Sequence, residues 1–122
     1  MQVLVLDDSE IMRDVLVKNL LQFGLRKDQV YEARNGVEAI RLLNVETFAL
    51  FILDIVMDGV NGVSVLKEVK KVQPQAKIIM CSTFSKSETV RELIDLGIDD
   101  FIVKPFASDR LKETVLRHIP LA

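Results

Sequence analysis

The fold of this chain is decided by residues 48–62, which read FALFILDIVMDGVNG. The first six residues are apolar and predict a strand buried on both faces, because a strand with one solvated face would alternate with polar residues. Asp54 follows this strand, and the residues after it read as a glycine-bearing loop that leads into a helix. The stretch therefore places one carboxylate at the mouth of a buried strand.

The same arrangement, an apolar strand followed by an amphipathic helix, repeats along the whole chain. The other predicted strands cover residues 3–6, 30–33, 77–81 and 101–103. Apolar strands that alternate with helices form a parallel sheet with helices on both faces and right-handed crossovers. We therefore expect a single α/β domain over residues 1–122, with the most apolar strand, 48–53, at the centre of the sheet.

The composition is typical of a globular domain and excludes several classes of function. The 122 residues are 49% hydrophobic and 28% charged, and the net charge of -2 comes from scattered residues of both signs. Nucleic-acid binding needs clustered lysine and arginine, so it is not expected. No apolar run approaches the roughly 18 residues of a membrane span, so we expect no membrane insertion and a cytoplasmic location. The single cysteine, Cys81, is expected to be a small buried hydrophobe.

Polar side chains follow the predicted strands at the points where the strands end. Because ligands of an open parallel sheet bind beyond the carboxyl ends of its strands, these side chains mark a candidate site. The residues are three carboxylates, two hydroxyls and an amine, namely Asp7, Asp8, Asp54, Ser82, Thr83 and Lys104.

The three carboxylates predict a site for a divalent cation, since acids held close together repel unless a cation lies between them. Oxygen ligands without nearby cysteine or histidine favour Mg²⁺, or Mn²⁺, over zinc. The alternative is that Asp7 and Asp8 are only the solvated acidic start of a helix. A metal, a lysine and a hydroxyl are the groups that phosphoryl transfer uses, and a carboxylate can be its nucleophile. Asp54 is the best candidate for that nucleophile.

These residues resemble the site of bacterial response-regulator receiver domains, and the match covers nearly the whole chain. The resemblance implies a flavodoxin-like fold with strand order 2-1-3-4-5. The motifs that carry it are Asp7-Asp8, Asp54 with Met57 and Gly62 in its loop, Ser82, and Lys104-Pro105-Phe106.

The resemblance also implies a role for each acidic residue. Asp54 resembles the phosphoacceptor, Asp8 the principal metal carboxylate, and Asp7 its partner, often reached through water. Val56 would offer its backbone carbonyl to the metal. The family usually has Met-Pro in this loop, whereas Asp58-Gly59 follows Met57 here. That change should loosen the loop, and it adds an acid that we expect to be solvated, the alternative being that it perturbs metal binding.

Further roles are implied at the ends of the last two strands. Ser82 matches the hydroxyl that contacts the phosphoryl group, and Lys104 matches the lysine that pairs with it, with a cis bond to Pro105. Phe101 stands where family members carry an aromatic switch residue, although ordinary core packing is an equal alternative. Thr83 and Phe84 are either a gate for the site or plain loop.

The resemblance implies a signalling switch and not an enzyme. A histidine kinase or phosphotransfer protein would phosphorylate Asp54 in a Mg²⁺-dependent reaction, which would change the surface of helix four, strand five and helix five. Hydrolysis would reset it. Met12-Arg13, and the lack of an output domain within these residues, resemble chemotaxis-type stand-alone receivers, so the target could be a flagellar-motor or chemotaxis component.

Three other functions remain open from the residues alone. A metal-dependent acid-nucleophile phosphatase usually separates its two acids by one residue, whereas Asp7 and Asp8 are adjacent. A nucleotide or flavin module would need a glycine-rich turn after the first strand. A receiver-like interaction domain that is no longer phosphorylated would not need the full set of site residues. His118, the only histidine, is expected to be solvated.

Overall fold

The computed structural model describes residues 1–54, 62–83 and 87–120, and only the backbone of residues 87–89. The expectations for Val56, Met57, Asp58-Gly59 and Phe84 lie outside these residues. The strands are β1 Val3–Leu6, β2 Val30–Ala33, β3 Leu50–Leu53, β4 Lys77–Ser82 and β5 Asp100–Val103. The helices are α1 Glu10–Gln22, α2 Gly36–Leu43, α3 Gly62–Val72, α4 Ser87–Leu96 and α5 Ser108–His118, with a short 3-10 turn at Lys27–Gln29.

The strands form one parallel sheet in the order β2-β1-β3-β4-β5, which confirms the predicted fold and places β3 at its centre. The register aligns the carboxyl ends of the inner strands, since Leu6 lies beside Leu53 and Leu53 beside Met80. Polar residues that follow these strands therefore lie at one edge of the sheet. Within the described residues, no helix is long and apolar enough to cross a membrane.

Each face of the sheet is covered by helices, as the apolar strands predict. Leu4, Phe51 and Met80 point to one face and pack with buried residues of α2, α3 and α4. Alternate residues of the same strands pack on the other face with α1 and α5. Cys81 lies in this second layer with 1% of its surface exposed, and burial raises the pKa of its thiol to about 12. The expectation that Cys81 is a small buried hydrophobe is confirmed.

The helix ends follow local rules, with one difference from the sequence pattern. The Ser9 hydroxyl caps α1 by accepting from the backbone N–H of Met12 at 3.2 Å. Gly24 follows α1 with a φ of 119°, a conformation that disfavours residues with a side chain. The third strand is shorter than predicted, since β3 begins at Leu50 and not at Phe48. Phe48 is nevertheless buried in the core, which explains why it belongs to the apolar run.

Candidate functional site

Three of the site residues, Asp7, Asp54 and Lys104, lie one position beyond the strands that carry them, and backbone hydrogen bonds fix each of these three. The N–H of Asp7 donates to the carbonyl of Ala33 at 3.2 Å, and that of Asp54 donates to Leu6 at 3.0 Å. The N–H of Lys104 donates to the carbonyl of Ser82 at 2.9 Å. The sheet ladder thus continues for one residue past its strands, and it brings acids from β1 and β3 toward a lysine from β5.

The carboxylates of Asp7, Asp8 and Asp54 converge as the sequence predicts. Each offers an oxygen that lies within 4.8 Å of the oxygens offered by the other two. Asp7 and Asp54 are 1% and 6% exposed, whereas Asp8 is open to solvent. The cluster therefore has two buried acids and one acid at its mouth.

Lys104 forms an ion pair with each of the two buried acids. Its Nζ lies 2.5 Å from Asp7 Oδ2 and 3.3 Å from Asp54 Oδ2. Burial by itself lowers the pKa of Lys104, but the hydrogen bond to Asp7 and the charges of Asp54 and Asp7 outweigh it and hold the pKa above its usual value. The ammonium group is therefore charged at neutral pH and offsets part of the negative charge of the two carboxylates.

The remaining predicted residues lie on β4 and β5 or just after these strands. Ser82 is fully buried at the end of β4, and Thr83 after it is exposed. The Lys104-Pro105 bond is cis, as the resemblance implies. Phe101 is half-buried against the core and, with Ile94 and Ile98, lines a cavity of about 300 Å³ near α4 and β5.

The chemistry of the donor set fits a hard divalent cation. The ligand atoms are carboxylate oxygens, with no histidine or cysteine among them, and Asp8 leaves the cluster accessible from solvent. Mg²⁺ prefers one or two carboxylates and retains several waters, which suits a cluster with an open side.

Two contacts of the Arg13 side chain were not predicted from the sequence. The guanidinium of Arg13 on α1 donates from Nη1 to the backbone carbonyl of Asp7 at 2.7 Å and pairs through Nε with Glu32 Oε1 at 3.3 Å. No spacing in the sequence links these three residues, because they come from three separate elements.

The prediction for His118 is wrong. Its side chain is 15% exposed, and its Nε2 lies 2.9 Å from Asp100 Oδ2 on β5. The helical spacing from Leu111 and Val115, both buried, places His118 toward the sheet and could have indicated this position.

The comparison with known proteins settles the family. Residues 3–116 match the family model of the response regulator receiver domain. This chain belongs to that family. The receiver domain is 38% identical over 118 residues to the chemotaxis protein CheY of Bacillus subtilis (strain 168), with 93% of each chain covered. It is 37% identical over 114 residues to the chemotaxis protein CheY of Thermotoga maritima, again with 93% of each chain covered.

A solved structure agrees with these relatives. The response regulator protein TrrA of Thermotoga maritima, in complex with Mg²⁺-BeF, is 33% identical to the receiver domain with a TM-score of 0.85. The match covers 98% of this chain and all of that one. The expected function is thereby confirmed at the level of the family: the receiver domain is a phosphorylation-activated switch of a two-component system, and the three alternatives are not favoured.

Receiver domains are signalling domains that interact with histidine kinases or phosphotransfer proteins and with downstream targets. They bind Mg²⁺ at an acidic pocket, and the cluster of Asp7, Asp8 and Asp54 has the corresponding composition.

Proposed function

We propose that Asp54 receives the phosphoryl group and that residues 1–122 act as a single switch domain. The observation that carries this proposal is the position of Asp54 just after the central strand, 6% exposed, beside two further acids and 3.3 Å from Lys104. A nucleophilic carboxylate needs nearby positive charge to approach a phosphoryl group that is itself negative.

Asp7, Asp8 and Asp54 would hold Mg²⁺, with the carbonyl of Val56 as a further ligand by resemblance. The bound ion would neutralise charge on the phosphoryl oxygens during transfer. Mn²⁺ could substitute, because it accepts the same oxygen ligands.

The proposed transfer is a displacement at phosphorus. An oxygen of Asp54 forms a bond to the phosphorus of a phosphohistidine, and the phosphorus–nitrogen bond breaks with its electron pair passing to the imidazole. Lys104 shifts its contacts from the two carboxylates to the new phosphoryl oxygens, and the Ser82 hydroxyl donates to one of them. Water later attacks the phosphorus, the bond between phosphorus and the Asp54 oxygen breaks with its electron pair passing to the carboxylate, and inorganic phosphate is released.

The switch would act through contacts that differ between the two states. Movement of Ser82 toward the phosphoryl group would open space for Phe101 to turn further into the protein. Phe101 lines the cavity with Ile94 and Ile98, so its turning would change the surface built by α4, β5 and α5.

The donor would be a histidine kinase or phosphotransfer protein, and the output a protein target. A chemotaxis or flagellar-motor component is our preferred target, because the curated relatives named above are chemotaxis proteins. The domain would assist its own phosphorylation and dephosphorylation without turning over an external substrate. A cytoplasmic location stays a prediction.

Intact-mass measurement after incubation with a small acyl-phosphate donor and Mg²⁺ tests this function. We expect the wild type to gain one phosphoryl group and Asp54→Asn to gain none. Asp28→Asn is the matched control, since Asp28 is an exposed acid that pairs with Arg26 before β2, away from the carboxyl ends of the strands. Equal uptake by wild type and Asp54→Asn, or no uptake by either, contradicts the proposal.

A further inference from the structure

We propose that Arg13 is a positioning residue for the Mg²⁺ site, which it serves by holding the backbone of the Asp7-Asp8 turn. This inference rests on the proposed function, because it assigns a task to Arg13 only if these acids bind the ion. Arg13 would touch neither the ion nor the phosphoryl group.

The acid at the mouth of the cluster is the one whose position most needs support. Asp7 is fixed three times over, since its N–H donates to Ala33, its Oδ1 accepts from the N–H of Ser9 at 2.9 Å and its Oδ2 accepts from Lys104. Asp8 is exposed. Its placement therefore depends on the backbone that leads into it.

Arg13 acts on that backbone directly. Its Nη1 donates to the Asp7 carbonyl at 2.7 Å, a short distance that is typical of a charge-assisted hydrogen bond. The carbonyl of Asp7 and the N–H of Asp8 belong to one planar peptide group, so fixing the oxygen also fixes the orientation of the bond that enters Asp8.

Glu32 holds the guanidinium in place from the edge strand. Its Oε1 accepts from Arg13 Nε at 3.3 Å, and the Arg13 side chain is 14% exposed. Two nitrogens of one planar group are thus engaged by two elements, β2 and the turn after β1. A guanidinium can form both contacts at once because its donors lie in a rigid plane.

Electrostatics and positioning predict opposite effects of removing Arg13. Arg13 is a cation close to a cation site, so deleting its charge alone should tighten Mg²⁺ binding. Loss of the hydrogen bond should instead let the turn move and weaken binding. The direction of the change therefore separates the two explanations.

The experiment measures Mg²⁺ affinity by calorimetry in wild type, Arg13→Met and the control Arg26→Met. Arg26 is 72% exposed, pairs with an acid as Arg13 does, and lies before the amino end of β2, away from the carboxyl ends of the strands. We expect a dissociation constant about tenfold higher in Arg13→Met, the lower end for residues that orient metal ligands, and no change in Arg26→Met. An unchanged or lower dissociation constant in Arg13→Met overturns the inference.

Two further measurements keep the test decisive. Thermal unfolding with a chelator present establishes that Arg13→Met is folded at the temperature of the titration. If it is not, Arg13→Lys replaces it with an expected loss of about threefold, because a single ammonium cannot hold both partners; wild-type affinity in that variant overturns the inference.

Failure of the inference is distinguishable from failure of the proposed function. If wild type gains no phosphoryl mass, or binds no Mg²⁺, the proposed function fails. If wild type does both, and Arg13→Met binds Mg²⁺ as wild type does, only the role of Arg13 fails.

Discussion

Lys104 shows how a single residue holds the site together. It stands within hydrogen-bonding distance of Asp7 and Asp54, whose side chains are 2% and 8% exposed. Two carboxylates with so little access to water lose most of their hydration, so they need a nearby positive charge to stabilise them. Lys104, which is proposed to contact the phosphoryl group, therefore also reduces the free-energy cost of burying the two acids.

Replacing Lys104 with methionine should destabilise the protein and increase its dependence on Mg²⁺. We expect a loss of about 3 kcal/mol in the free energy of unfolding in chelator, the lower end for a broken buried ion pair, because the two carboxylates lose their buried counter-charge. Added Mg²⁺ should then raise the melting temperature more in Lys104→Met than in wild type.

Thermal unfolding with and without Mg²⁺ measures both effects. Lys112→Met is the control, since Lys112 is exposed on α5. Equal stability of Lys104→Met and wild type in chelator would contradict the role assigned to the lysine.

At this scale the sequence predicted the acid cluster and the lysine, but not the side-chain hydrogen bonds that join distant segments of the chain. Residues that follow parallel strands meet at one edge of the sheet, so Asp54 and Lys104 could be placed by counting. The side chain of Gln73 illustrates what could not. It accepts from the N–H of Phe48 at 2.9 Å and donates to two carbonyls, of Leu43 and Glu46, at 2.7 Å. Such contacts depend on how elements pack, which periodicity does not encode.

At the scale of elements, a charged cluster joins α5 to the start of β5. Asp100 Oδ2 accepts from Arg117 Nη1 at 2.8 Å and lies 2.9 Å from His118 Nε2. Its Oδ1 accepts from the N–H of Phe101 at 3.0 Å. The carboxylate therefore ties the last turn of α5 to the strand that carries the proposed switch residue.

Asp100 should make stability depend on pH in the acidic range. Burial by itself raises the pKa of this carboxyl, but the hydrogen bonds from His118 and Phe101 and the charge of Arg117 outweigh it and hold the pKa below its usual 3.8. A lowered pKa in the folded state means that the contribution to stability is present above pH 3.8 and is lost as the pH falls through the folded value.

We therefore expect Asp100→Asn to be less stable than wild type at neutral pH and to lose less stability on acidification. Denaturant unfolding at a series of pH values measures the difference. Asp109→Asn is the control, because Asp109 is exposed in the first turn of α5. A wild-type pH profile in Asp100→Asn would show that the cluster contributes nothing.

The elements themselves were largely predictable, and the exceptions have physical reasons. The apolar runs predicted the strands, because helices cover both faces of the sheet and side chains on both faces are therefore buried. The pair Asn35-Gly36 is typical of a turn, yet the Asn35 side chain caps α2 by accepting from the N–H of Glu38 at 2.9 Å, and Gly36 is the first residue of that helix. Turns and helix starts use the same residue types, so the sequence did not distinguish them.

At the scale of the whole molecule, the order of the strands came from the resemblance and not from periodicity. An apolar run predicts burial on two faces but does not name its neighbours. The observed order puts β1 and β3 side by side, and it thereby brings Asp7 and Asp54 to the same point.

Phosphorylation should alter one side of the molecule more than the other. With Mg²⁺ and beryllofluoride, which is bound in the structure of the TrrA relative, we expect amide exchange to change in α4 and β5 while α2 keeps its exchange rates. The reason is that Phe101, Ile94 and Ile98 share a cavity on that side. Asp54→Asn should show no change, and a uniform change across all helices would contradict a local switch.

The most direct test of the central claim is to mark chemically the residue that accepts the phosphoryl group. Borohydride reduces an aspartyl phosphate to homoserine, so peptide mass spectrometry after phosphorylation and reduction identifies the acceptor. We predict homoserine at position 54 in the wild type, dependent on Mg²⁺. Homoserine at position 7 or 8 instead, or none at position 54 in a protein that has gained phosphoryl mass, would contradict the assignment of Asp54.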